Sequence, residues 1–304
     1  NTVYAGGSFG RRATPNSDYQ VDAALAFLLL GSKTPVKLMW TREDDIKGGY
    51  YRPMAVHKAK VGLDDKGNIV GWDHRVVAKS ILKGSPFEGS IKGGIDHASV
   101  EGINNTEYQI PMLSVGLSDA QTKIPVLWWR SVGHTHTAYT MEVMLDILAE
   151  VAKQDPVKYR LKLLSGESKE QKRIAGVLKL AAEKSTWDSE LPAGRGRGVA
   201  VHKSFNSYVA QVIEVSVNEE GKVNVESVHC AVDCGVAVNP DVIKAQMEGG
   251  IGFGLGAVMR NEITFANGEV NQSNFPDYEP LRIKDMPVVS VHIVRSAEPP
   301  TGVG

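Results

Sequence analysis

Residues 56–77, VHKAKVGL-DDKGN-IVGWDHRVV, read as two strands, Val56–Leu63 and Ile69–Val77, joined by the turn Asp64–Asn68. Apolar and β-branched residues bracket a glycine-containing turn, which is the pattern of a β-hairpin. The same grammar returns at Val209–Val217, Asn218–Gly221 and Lys222–Val232. Two such hairpins predict an α+β fold of two lobes, each with a mixed or antiparallel sheet packed by helices. Length points the same way, because 304 residues exceed what one hydrophobic core of ordinary size holds. The lobes are expected at 1–165 and 166–304. Their junction is placed in Ser165–Gly198, which ends in Gly194-Arg-Gly-Arg-Gly198.

Around the hairpins, helices announce themselves by spacing and caps. Asp18–Leu30 carries Val21, Ala24, Leu25, Leu28 and Leu29 at helical intervals, with Gly31 where a left-handed cap belongs. His134–Lys153 has apolar Tyr139, Val143, Leu145, Ile147, Leu148 and Val151. Asp155-Pro156 and Asn239-Pro240 each join a capping side chain to a proline in the first turn. Val36–Thr41 reads as a buried strand, and Thr2-Val3-Tyr4 as another. From Lys153 to Lys184 basic residues outnumber acidic ones, the mark of a solvated helical surface or of a face for an acidic partner.

Composition excludes several classes of function. Thirty-four basic residues against 35 acidic ones leave a charge of -1, which supplies no field to hold nucleic acid or an anionic membrane. The longest apolar run, Ala23–Leu30, is far short of the ~20 residues a bilayer span needs. Cys230 and Cys234 are the two cysteines, too few for an iron–sulfur cluster or a closed zinc site, so any cluster must sit on another chain. Asn1 at the start and a Pro/Gly-rich loop at the end suggest a piece of a longer protein, whose compartment, periplasm or cytoplasm, such a piece does not report.

The chemistry-bearing residues cluster. Gly6-Gly7-Ser8-Phe9-Gly10-Arg11-Arg12 lets main chain approach a ligand closely, with two arginines to neutralise an anion, although a plain tight turn would use the same glycines. It has no Gly-Lys-Ser/Thr ending, so it is not a P-loop. Five glycines from Gly249 to Gly256 are costly in a helix, at about 1 kcal/mol each, so close backbone packing or a bulky ligand must offset them. Arg130, behind Trp128-Trp129 and ahead of a glycine turn, needs a carboxylate or a cavity to face. His134-Thr135-His136 could ligate zinc in a hydrolase, or line a polar mouth. No Gly-x-Ser-x-Gly elbow and no carboxylate pair stands out. The residues alone indicate a two-lobed protein that binds a phosphorylated cofactor.

Taken in order, these segments resemble the large, molybdopterin-binding subunit of the xanthine oxidase family, the molybdenum hydroxylases, in its isoquinoline 1-oxidoreductase beta-subunit branch. Gly6-Gly7-Ser8-Phe9-Gly10-Arg11 is similar to the family's Gly-Gly-x-Phe-Gly loop beside the metal and pterin. Val36–Asp44 resembles the segment after it, and Trp129-Arg130-Ser131-Val132-Gly133 the family's Arg-Gly-x-Gly segment. Val232-Asp233-Cys234-Gly235, Asn239-Pro240 and Gln246-Met-Glu-Gly249 resemble the Asp-x-Gly, Asn-Pro and Gln-x-Glu-Gly run. Thr301-Gly302-Val303-Gly304 resembles the start of Gly-x-Gly-Glu, whose glutamate, the family's general base, would come next. Two departures stand out: the family's Arg-x-x-Asn reads Arg160-Leu-Lys-Leu163, and its Gly-Gln-Gly loop is absent, expected upstream in this branch.

The resemblance implies a molybdenum-cofactor-binding-domain-like fold that carries molybdenum-molybdopterin, in the cytosine dinucleotide form. It implies oxidative hydroxylation of an N-heteroaromatic or aldehyde substrate with water-derived oxygen, and electrons passed to 2Fe-2S clusters on a small partner subunit. Gly6, Gly7, Phe9, Gly10, Arg11, Gly133, Arg160, Gln246, Gly302 and Gly304 would bind the cofactor, with Phe9 as a wall above the metal. Arg130 would stabilise negative charge on the substrate, and Trp129, His134 and His136 would line its channel. The isolated piece is expected to be inactive. A cofactor-free structural or docking domain of the same fold is the alternative.

Overall fold

A computed structural model describes residues 4–303. Helices α1 (Asp18–Leu29) and α2 (Arg42–Lys47) lead into strands β1 (Ala55–Leu63), β2 (Ile69–Ala78) and β3 (Leu113–Asp119). Helices α3 (His134–Val151), α4 (Pro156–Leu163) and α5 (Lys169–Lys184) follow, then β4 (Arg195–Ser204), β5 (Ser207–Val217) and β6 (Val223–Asp233). Helix α6 (Pro240–Met259), the two-residue strands β7 (Phe265–Ala266) and β8 (Glu269–Val270), and β9 (Val288–Ile293) complete the chain.

Both expected hairpins form, and each gains a further strand by the same rule. β1 pairs antiparallel with β2, and β3 lies parallel beside β2. β5 pairs antiparallel with β6, and β9 lies parallel beside β6, with β4 added outside β5. The fold is therefore α+β, two mixed sheets packed by helices. The sheets share one core: Trp72 and Val76 of β2, Met141 and Leu145 of α3, Leu178 of α5 and Val201 of β4 belong to a single buried cluster. Helix α5 supplies Ile174, Val177, Leu178 and Ala181 from one face, at ~1.5–3 kcal/mol for each large apolar side chain buried. Caps fall where expected: Asp155 accepts from the Lys158 amide at 2.8 Å, Asn239 from that of Val242 at 3.2 Å, and Gly31 has φ 78°.

Two strand expectations are corrected. Val36–Thr41 joins no sheet, and Leu38 and Met39 are exposed, because no neighbouring strand offers a ladder. Tyr4 belongs to no strand, while Thr2 and Val3 lie outside the described residues. The junction Ser165–Gly198 holds α5, and its Gly194–Gly198 run opens β4, where Arg195 and Arg197 pair with Glu214 of β5.

Arg160 is also corrected. It is fully buried on α4, with Nε 2.8 Å from Glu142 Oε2 and Nη1 2.7 Å from Asp146. Tyr108 Oη and the Val201 amide also donate to the Glu142 carboxylate, at 2.9 Å each. Burial works against both charges, yet three donors face that carboxylate, and the neighbouring acids hold the guanidinium above its ordinary value. With no exposed surface, Arg160 ties α3, α4 and β4 together and reaches no cofactor.

Candidate functional site

The loop around Phe9 and the segment carrying Arg130 meet. The Arg130 amide donates to the Phe9 carbonyl at 2.8 Å, and Phe9 is held left-handed at φ 53°. Gly10, at φ 98°, lies so close to the Trp128 carbonyl oxygen that a Cβ there would collide with it. Glycine is required here for backbone to pack on backbone. A Cβ at Gly6 would meet nothing, so this side of the loop is open.

Helix α6 forms the opposite wall. Phe253 stacks on Phe9 with ring centroids 5.4 Å apart, and the Arg130 guanidinium lies 6.0 Å from the Phe253 centroid. Arg130 Nη2 donates to the Gln246 carbonyl at 3.0 Å. No carboxylate pairs with Arg130 among the described residues, and burial lowers its pKa. A guanidinium has five N–H donors, so Arg130 keeps hydrogen-bonding capacity for a ligand. The α6 glycines divide between the two explanations. Gly250 makes room for Arg130, Gly252 for Met286 and Gly256 for Asn261, whereas a Cβ at Gly254 would point into open space.

Arg11 faces an acid of its own chain. Its fork is occupied bidentately by Asp18, at 2.6 and 3.0 Å, which raises its pKa, and the rings of Tyr19, Trp40 and Tyr50 surround it. The arginine therefore anchors the loop to α1, and Arg12 is the exposed cation of the pair.

At the mouth of α3, Gly133 lies against the Ala98 carbonyl, where any side chain would clash. Glu101 accepts from the Gly133 amide at 2.9 Å and is pushed up to about 6 by burial. His134 Nδ1 is 2.8 Å from His202 Nε2, and its Nε2 is 3.5 Å from Glu101. His136 Nδ1 instead meets His57 Nε2 at 2.9 Å. Burial pushes both His134 and His136 down to about 4, so both are neutral at pH 7. The zinc alternative fails, because the two rings join different partners and, among the described residues, no three His, Cys, Asp or Glu side chains are placed so that they could hold a metal ion.

Trp129 lines a small cavity with Arg52, Gly133 and His136, and its buried Nε1–H has no partner. Gln246 is half-buried, with its carbonyl committed to Arg130. Gly302 accepts from Ser207 Oγ at 2.7 Å beside the β4–β5 turn, whose Phe205 packs against His134 at 6.1 Å between centroids. Gly304 lies outside the described residues. Sequence reasoning missed Arg52, His57, His74, Glu101, His202 and Phe253. Only His57 and His74 carried a signal, as polar side chains inside a hairpin that is otherwise read from its apolar residues.

Comparisons with known proteins give the family. A family model described as "Molybdopterin cofactor-binding domain" matches residues 1–164, and a second of the same description matches 141–287. The class these matches define is a molybdopterin cofactor-binding domain. The chain belongs to the molybdopterin cofactor-binding domain family, in the xanthine oxidase group of oxidoreductases. It is 32% identical to isoquinoline 1-oxidoreductase subunit beta of Brevundimonas diminuta, over 98% of this chain and 38% of that protein. It is also 32% identical to a membrane-bound aldehyde dehydrogenase of Gluconacetobacter polyoxogenes, over 98% of this chain and 41% of that protein. The chain thus spans about two fifths of these relatives. Quinoline 2-oxidoreductase from Pseudomonas putida 86 shares the fold, with TM-score 0.79 at 12% identity, covering 98% of this chain and 62% of that one. Among the described residues no helix is long and apolar enough to cross a membrane.

The residues present fit molybdopterin. The loop is open at Gly6, Trp129 carries an orphaned buried donor, and Arg130 is a cation without a counter-ion.

Proposed function

We propose that this chain is the molybdopterin-binding part of an enzyme that hydroxylates an aldehyde or an N-heteroaromatic carbon with oxygen from water, its electrons leaving through 2Fe-2S clusters on a small partner subunit. The relatives' names support that substrate range. The cofactor is proposed in its cytosine dinucleotide form, and residues 1–165 and 166–304 as the two lobes that hold it. When bound, the molybdenum centre supplies the redox chemistry, which no side chain here provides.

The protein's own residues bind and orient. The Gly6–Gly10 loop and the Gln246 side chain would hold the cofactor, with Phe9 and Phe253 as a rigid apolar wall. Arg130 would donate to the substrate oxygen or nitrogen as negative charge builds there. Trp129, His134 and His136 would line the approach, the two histidines as neutral hydrogen-bonding groups. The observation that carries this reading is that Phe9, Arg130 and Phe253, from three separate segments, meet with the guanidinium left without a carboxylate.

In the full-length assembly, Arg130→Ala is expected to lower kcat by about 10²-fold, the loss typical of removing one such donor, with molybdenum content unchanged. Equal loss of molybdenum and turnover would show that Arg130 holds the site together and does not act on the substrate.

A further inference from the structure

Four side chains form an unbroken line of hydrogen bonds from the core to the cavity lined by Arg52 and Trp129. Trp72 Nε1 donates to His74 Nδ1 at 3.1 Å, His74 Nε2 meets His57 Nδ1 at 2.9 Å, and His57 Nε2 meets His136 Nδ1 at 2.9 Å. We propose that Trp72, His74 and His57 are positioning residues that lock His136 into the tautomer with hydrogen on Nε2, as a donor for an acceptor atom of the substrate. This deepens the function proposed above, and the substrate's identity rests on that reading.

The direction follows from one asymmetry. An indole N–H only donates, so His74 Nδ1 must accept, and a neutral imidazole then carries its hydrogen on Nε2. That hydrogen points at His57 Nδ1, which accepts in turn, and His57 Nε2–H points at His136 Nδ1. Reversing any link sets two hydrogens, or two lone pairs, face to face at about 3 Å. The anchor does not loosen, because Trp72 is 1% and His74 0% exposed. Because indole does not give up its proton near neutral pH, the line ends at Trp72 and orients without conducting.

The far end meets a cavity whose polar side chains are mostly donors. His136 Nε2 has no protein partner among the described residues, and His136 lines the cavity with Arg52, Trp129 and Gly133. Arg52 also donates to the Arg130 carbonyl at 3.2 Å, and the Trp129 Nε1–H is unpartnered. Three donor side chains around a cavity with room for about one water-sized group select a single projecting acceptor atom, a carbonyl oxygen whose carbon skeleton stays outside the cavity.

Neutron diffraction on deuterium-exchanged crystals of the full-length protein tests the lock directly. Deuterium is expected on Nε2, and not on Nδ1, of His74, His57 and His136. Deuterium on Nδ1 of His136, or on both of its nitrogens, overturns the proposal whatever the enzyme oxidises. Kinetics tests the contact: His136→Asn and Trp72→Phe should each raise KM about 10-fold at unchanged molybdenum content, the effect of one lost hydrogen bond. His136→Gln, which returns an amide N–H near the lost Nε2–H, should recover most of that loss. A wild-type KM in His136→Asn overturns the substrate contact even where the tautomers are as expected.

Discussion

Two guanidinium groups flank α3, and their surroundings are opposite. Arg160 lies against the middle of the helix, enclosed by Glu142 and Asp146 and wholly removed from solvent. Arg130 lies in the turn ahead of its first residue, half-buried, with a carbonyl and the face of Phe253 for company. A buried charge that the fold itself satisfies belongs to the fold, whereas one left without a counter-charge in a cleft is available to a ligand.

The largest expected effect breaks the satisfied pair. Arg160→Met strands the Glu142 carboxylate among donors it no longer balances and should lower unfolding free energy by about 3–5 kcal/mol in chemical denaturation. Arg160→Lys should rescue little, because an ammonium cannot reproduce the fork that grips Glu142 and Asp146 together. A loss under about 1 kcal/mol for the Met variant would mean the network is not structural.

Acid should then separate the first turn of α3 from its middle. His74, His134 and His136 are pushed down to about 4 and His202 to about 3, so between those values and the ordinary 6.5 the unfolded chain binds more protons than the folded one. Stability therefore falls as pH drops through 6.5. Glu101, pushed up to about 6, works the other way: its contribution is present below its ordinary value and fades as pH rises through 6. Four histidines outweigh one carboxyl, and denaturation from pH 7 to 5 should show a net loss of at least about 1.4 kcal/mol per pH unit. Hydrogen exchange at pH 5 should open the first turn of α3 before the Glu142–Arg160 region. A flat stability profile would contradict the burial of these rings.

Smaller effects probe the Arg130 side. Gly10→Ala adds a Cβ against the Trp128 carbonyl at φ 98° and should cost about 2 kcal/mol while loosening the Phe9 loop, seen as lost molybdenum in the full-length assembly. Arg130→Ala should change stability by less than about 1 kcal/mol despite its effect on turnover, since it leaves no buried partner charge behind.

Some of this was legible in local sequence. The hairpins, the Asp155 and Asn239 caps and the Gly31 stop depend on residues within a few positions of one another, and all formed as read. Val36–Thr41 failed because a strand needs a neighbour that no local pattern supplies. Helix α1 formed on its apolar spacing yet buries none of its residues, because a periodic stripe states which face is apolar and not what covers it. In the site, the Phe9 loop and Arg130 were visible as motifs, but α6 as the opposing wall was not.

The sequence by itself determined the two hairpins, the capped helix starts and the family's ordered motifs, because those rest on short-range hydrogen bonding and on residue order. The tertiary structure alone decided which arginine meets an acid, that Arg11 is bound to Asp18, and which way the three histidines point. Those outcomes depend on distances between residues far apart in the chain, where one unpaired charge or one donor-only indole sets the state of every group in line with it.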